Sequence, residues 1–94
     1  MASGYKQSFV ILGENNYQEW KHNLIGVLRM ENCLSIVTGK ETEPTNATLL
    51  PYWLEHSNKA AGIIWCSLDS TQHTHVHSED SPHVMWSKLD QAHN

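Results

Sequence analysis

Basic residues are scarce in this 94-residue chain. Six Lys and Arg stand against ten Asp and Glu, a formal charge of −4 with the histidines neutral. The six are scattered, at Lys6, Lys21, Arg29, Lys40, Lys59 and Lys88. Without a basic stripe nothing drives contact with a phosphate backbone, so no direct nucleic-acid binding is expected of this segment. No apolar run is long enough to cross a membrane and no stretch reads as a secretory leader. The chain is therefore expected to be soluble and cytoplasmic, with no membrane partner. Cysteine is sparse too. Cys33 and Cys66 are far apart and allow either one disulfide or two thiols; two free thiols are the expectation for an intracellular chain. The sequon Asn46-Ala47-Thr48 is read as chance for the same reason. Charged residues reach only 17%, too few for a disordered acidic or basic tail.

Aromatic residues are what the chain does have. Four Trp, three Tyr and one Phe offset a hydrophobic fraction of 39%, because each buried ring removes a large area from water. One small domain with a modest core follows from this length. Seven histidines add positive charge near pH 6 and bring the chain toward neutrality.

The pattern along the chain is helical. Met1 to Ser8 is polar and expected to be a mobile tail. Phe9, Val10, Ile11 and Leu12 are apolar and too short a run for a helix, so they read as an extended segment laid on the core. Gly13 to Asn15 turns the chain. Asn16 with Glu19 resembles a capping box, and Tyr17, Trp20, Leu24, Val27 and Leu28 then recur at helical spacing, with Gly26 opposite them. The spacing predicts a first helix over 16–30 that Asn32 can break. Leu34, Ile36 and Val37 make a short helical turn closed by Gly39, and residues 40–48 are a polar loop. Pro51 suits the first turn of a long helix over 51–68. Its core face carries Trp53, Ser57, Ala60, Ala61, Ile64 and Leu68, with small residues where another helix can approach. Asp80 or Ser81 caps a last helix, with Pro82 in its first turn and Val84, Met85, Trp86 and Leu89 on its apolar side. The fold class is all-α: a small bundle of three main helices plus short helical turns, with an extended N-terminal segment.

An ordered series of these pieces resembles a known family. Leu12-Gly13, Asn16-Tyr17, Trp20 and the helix ending at Ile36-Val37-Thr38-Gly39 are similar to the opening of the Gag polyprotein of copia-type retrotransposons. Trp53 followed by Ala60, Ala61, Ile64 and Ser67-Leu68, and then Trp86 with Leu89, continue the likeness over about residues 9 to 90. The resemblance implies a capsid N-terminal domain: helical, non-enzymatic, and building the shell of a virus-like particle by packing against copies of itself. A host gene derived from such an element would look the same. The sequence departs from the family at Cys33-Leu34-Ser35, where an aromatic is common, and at Ser81-Pro82, where Thr-Ala is common. The family's nucleic-acid binding lies mostly in later regions with a zinc knuckle. This chain has no such Cys/His spacing, and it looks like part of a longer Gag.

The candidate site residues are few. Tyr17 and Trp20 could form a stacking platform, but they share a face with Leu24 and Leu28 and read as core anchors. The full set of expected core anchors is Tyr17, Trp20, Leu24, Leu28, Trp53, Ala60, Ile64, Leu68 and Trp86. His73, His75 and His77, near His83, are the only metal-like cluster. Extended, the first three would share a face; in a helix only His73 and His77 would. With the cysteines remote in sequence, a solvent-facing loop is the better reading, and no metal, cofactor or small-molecule substrate is expected. Asp69, Glu79 and Asp80 lack a paired partner, and Ser67, Ser70 and Cys66 sit in no nucleophile context, so no enzyme is expected. Tyr52, His56, Lys59, Ile63 and Cys66 fall on the back of the long helix. Tyr52, Ile63 and Cys66, with the Phe9, Val10 and Ile11 run, are the candidate interface for weak self-association. The rival function is a host-adopted interaction module that binds a peptide in an aromatic-lined groove.

Overall fold

The computed structural model describes residues 10–94; the expected tail over 1–8 and Phe9 lie outside them. Four α-helices and a 3₁₀ turn follow in order: α1 Tyr17–Met30, α2 Leu34–Val37, α3 Leu50–Cys66, the turn Gln72–Thr74, and α4 Pro82–His93. Three are main helices and α2 is a single turn, as expected. Among the described residues the one β-type pairing is an isolated parallel bridge between Leu12 and Leu68.

That bridge seats the extended segment. The Leu12 N–H donates to the Ser67 carbonyl at 2.7 Å, and the Asp69 N–H donates to the Leu12 carbonyl at 3.1 Å. α3 therefore ends at Cys66 rather than at 68, because the backbone beyond it bonds to the segment instead of continuing the helix. Leu12 itself is fully buried.

The start of α1 differs in detail from the expected capping box. Asn16 occupies the N-cap but makes no side-chain bond into the helix. Its Oδ1 accepts from the Gly13 N–H at 2.8 Å, and its Nδ2 donates to the Ile11 carbonyl at 2.9 Å. The side chain thus ties the preceding turn together, an alternative use that short polar side chains offer the backbone. At the other end Asn32 adopts φ 61° and Gly39 φ 86°, the left-handed geometry that ends α1 and α2. Asn46 sets up α3: its Oδ1 accepts from the Thr48 N–H at 2.7 Å, and its carbonyl accepts from the Leu49 and Leu50 N–H groups. Ser81 caps α4, its Oγ accepting from the Val84 N–H at 3.2 Å, with Pro82 in the first turn.

The core is one cluster. Tyr17, Trp20, Leu24 and Leu28 from α1 meet Val37 from α2, Ala60 and Ile64 from α3, Met85 and Leu89 from α4, and Leu12, Cys33, Leu68 and Val76 from the connections. Trp20 is fully buried. Its indole N–H donates to Ser67 Oγ at 2.9 Å, and Ser67 Oγ donates to the Ile64 carbonyl at 2.7 Å. The buried polar atoms are thereby paired, which spares their desolvation cost. Trp86 is half-buried and packs on Trp20 at 5.7 Å between centroids. Trp53 departs from the expected set of anchors. It is half-buried, outside the central cluster, and lines surface cavities instead. No helix among the described residues is long and apolar enough to cross a membrane.

Candidate functional site

The histidines do not converge. The His73 ring stacks on Trp65 at 3.9 Å between centroids, and its Nε2–H donates to the Trp65 carbonyl at 3.2 Å. His75 meets the edge of His93. The His77 backbone N–H donates to Asp80 Oδ2 at 3.0 Å. His83 sits in the first turn of α4, where its Nδ1–H donates to the Val37 carbonyl at 2.9 Å. Among the described residues no group of three or more His, Cys, Asp or Glu is arranged to hold a metal ion. The loop that carries them is not simply solvent-facing. Gln72 and Val76 are buried, and Gln72 Oε1 accepts from His93 Nε2 at 2.6 Å. Val76 is the only aliphatic residue between Asp69 and His83, which is the signal that could have identified it. The cysteines are both free, Cys33 buried and Cys66 exposed. Burial pushes the Cys33 thiol above its usual pKa, so it is held protonated and unreactive.

Tyr17 heads a second polar group at the open end of α1. Its hydroxyl donates to Asp90 Oδ1 at 2.8 Å, and its ring stacks on His93 at 4.8 Å between centroids. Burial, and then the Asp90 hydrogen bond and charge, hold the phenol well above its ordinary pKa. The hydrogen bond from Tyr17 in turn lowers the Asp90 carboxyl. Lys21 approaches Asp90 at 3.5 Å. These contacts fasten α4 to α1; an exposed ion pair adds at most ~1 kcal/mol to this.

The nominated interface residues separate. Tyr52 is 65% exposed, Ile11 is 47% exposed and Cys66 is exposed. Ile63, by contrast, is half-buried and packed against the core cluster, as is Val10. Part of the extended segment's backbone is already bonded within the molecule. The Val10 N–H donates to Asn23 Oδ1, the Ile11 carbonyl accepts from Asn16, and both backbone groups of Leu12 are bonded.

The concave surface lies elsewhere, where α2, the loop after it and the starts of α3 and α4 meet. A cavity of 230 Å³ is lined by Ile36, Gly39, Glu41, Thr42, Glu43, Trp53, Ser57, Ser81, Pro82 and His83. A neighbouring one of 470 Å³ shares Ile36, Glu41, Thr42 and Trp53 and adds Asn32, Pro44, Leu49, Tyr52 and His56. The Trp53 indole N–H is buried without a hydrogen-bond partner. On one wall Gly39 and His83 approach closely: a Cβ at Gly39 would come within 2.8 Å of the His83 ring, which is hydrogen-bonded to Val37.

No known family model, curated protein or solved structure matches the chain.

Proposed function

We propose that this chain is a structural module of the capsid type, which associates with copies of itself to build the shell of a copia-type retrotransposon particle, and that it has no catalytic role. Support comes from two directions. The ordered series from Leu12-Gly13 through Trp20, Gly39, Trp53 and Ile64 to Trp86 resembles that Gag family, and of these Trp20 lies on α1, Trp53 and Ile64 on α3, and Trp86 on α4. The observation that carries the reading is the apolar face at the start of α3. Leu49 is 53% exposed and Tyr52 65%, and both border the same concavity with Trp53. Large apolar groups grouped beside a groove are the usual mark of a protein contact. Closed shells are built from contacts that are weak singly and strong collectively, so a weak association of the isolated chain is expected.

Sedimentation velocity over a concentration series is the test, with Tyr52→Asp as the variant. Tyr52 is chosen over Ile63 because a charge at Ile63 would enter the core. The native chain is expected to sediment faster as its concentration rises. Tyr52→Asp should sediment as a monomer throughout, with an unchanged melting curve. Indistinguishable behaviour of the two would refute this face as the contact.

A further inference from the structure

The 230 Å³ cavity around Trp53 has features that self-association leaves unexplained. It falls below the ~300 Å³ at which pockets enclosing drug-sized ligands begin, so it suits one or two side chains rather than a whole small molecule. Its walls are mostly apolar, from Ile36, Trp53 and Pro82. Its mouth is acidic: Glu41 and Glu43 both line it and both are exposed. Neither this cavity nor its neighbour is lined by Lys or Arg. At Trp53 an indole N–H is buried and unpaired, a state that costs free energy until an acceptor reaches it.

We infer that this cleft docks a short extended segment of another protein, one that presents an apolar side chain between lysine or arginine residues. The apolar side chain fills the cavity against Trp53 and Pro82. The flanking cations meet Glu41 and Glu43, whose charge selects for them and disfavours acidic sequences. A backbone carbonyl of the segment accepts from the Trp53 indole once the ring turns toward it. The wall formed by Gly39 and His83 is already fixed by the His83–Val37 hydrogen bond, so that side of the cleft needs no rearrangement. This inference requires that self-association through Leu49 and Tyr52 leave the Trp53 cavity itself open.

The experiment is a titration of the ¹⁵N-labelled chain, at a concentration where it sediments as a monomer, followed through its indole N–H signals. Trp53→Phe identifies the Trp53 signal by its loss. The probe is a blocked pentapeptide with Leu at its centre and Lys on both sides, and the control carries Glu in place of Lys. The Lys probe should move the Trp53 signal in the direction of a newly formed hydrogen bond. It should bind roughly tenfold more tightly than the Glu control, with the gap closing as salt rises. Glu41→Lys combined with Glu43→Lys should reverse that preference without changing the melting temperature, since both side chains are exposed. No movement of the Trp53 signal at millimolar probe, or equal binding of the two peptides, would overturn the inference. So would a Trp53 signal that moves with protein concentration alone, because a second copy of this chain would then be the occupant.

Discussion

At Trp20 a single residue joins three parts of the molecule. It packs on Trp86 of α4, stacks near Tyr17, and hydrogen-bonds Ser67 at the end of α3. Trp20→Ala should therefore cost about 3–5 kcal/mol, the usual penalty for truncating a buried aromatic. In a domain this small that is a large share of total stability. Chemical denaturation measures it, and a loss under ~1 kcal/mol would contradict the anchor role. His93 gives a pH dependence of definite sign. Burial, and then the neighbouring His75, hold its pKa below the ordinary 6.5. The unfolded chain thus takes up the proton more readily. The stabilisation is complete above pH ~6.5 and is lost as pH falls through the lowered folded value. The melting temperature should drop between pH 7 and 5, and His93→Phe, which keeps the stack on Tyr17, should flatten that drop. A second loss is expected below pH ~3.8. There Asp69, Asp80 and Asp90, whose carboxyls are lowered by the hydrogen bonds they accept, gain protons. For Asp69 the main donor is the Thr71 hydroxyl, for Asp80 the His77 backbone N–H, and for Asp90 the Tyr17 hydroxyl.

The helices themselves were legible because apolar spacing and breakers agree. The stripe from Tyr17 to Leu28 and the left-handed Asn32 bound α1 closely, and Ser81-Pro82 marks the start of α4. Gly26 is the exception within α1: a Cβ there would meet nothing within 4 Å. Gly26→Ala should stabilise by about 0.5–1 kcal/mol and raise the melting temperature by a few degrees. Gly39→Ala should do the opposite. Its φ of 86° is strained for a residue with a side chain, and the Cβ would strike the His83 ring at 2.8 Å. A loss of at least ~1 kcal/mol is expected, read from the same thermal melts. What the sequence hid at this scale was where side chains go when two uses compete. Asn16 and Glu19 have the spacing of a capping box, yet Asn16 bonds backward to Gly13 and Ile11. Ile63 lies on the back of α3 by helical wheel, yet it is half-buried and packs against the core cluster.

For the whole molecule, periodicity yielded the all-α class and most of the core, but not the cleft. A cavity depends on which elements meet, and Trp53 belongs to it only because α2, the 40–48 loop and the start of α4 close around the first turns of α3. Spacing along one helix placed Trp53 with Ala60 and Ile64 and could not show that its end of α3 projects past the central cluster. The His73–His77 stretch misled in the same way, since bends and a 3₁₀ turn scatter rings that an extended strand would align. The central claim, that the exposed face of α3 is where copies of this chain meet, has a direct test in its own cysteines. Cys66 is exposed and Cys33 buried, so a spin label can be placed on Cys66 alone. The labelled, ¹⁴N chain is mixed with unlabelled-thiol, ¹⁵N chain at about 1 mM, where even a contact of −4 kcal/mol is half populated. Broadening between molecules should be confined to the exposed face of α3. Uniform broadening, or none, would contradict the claim.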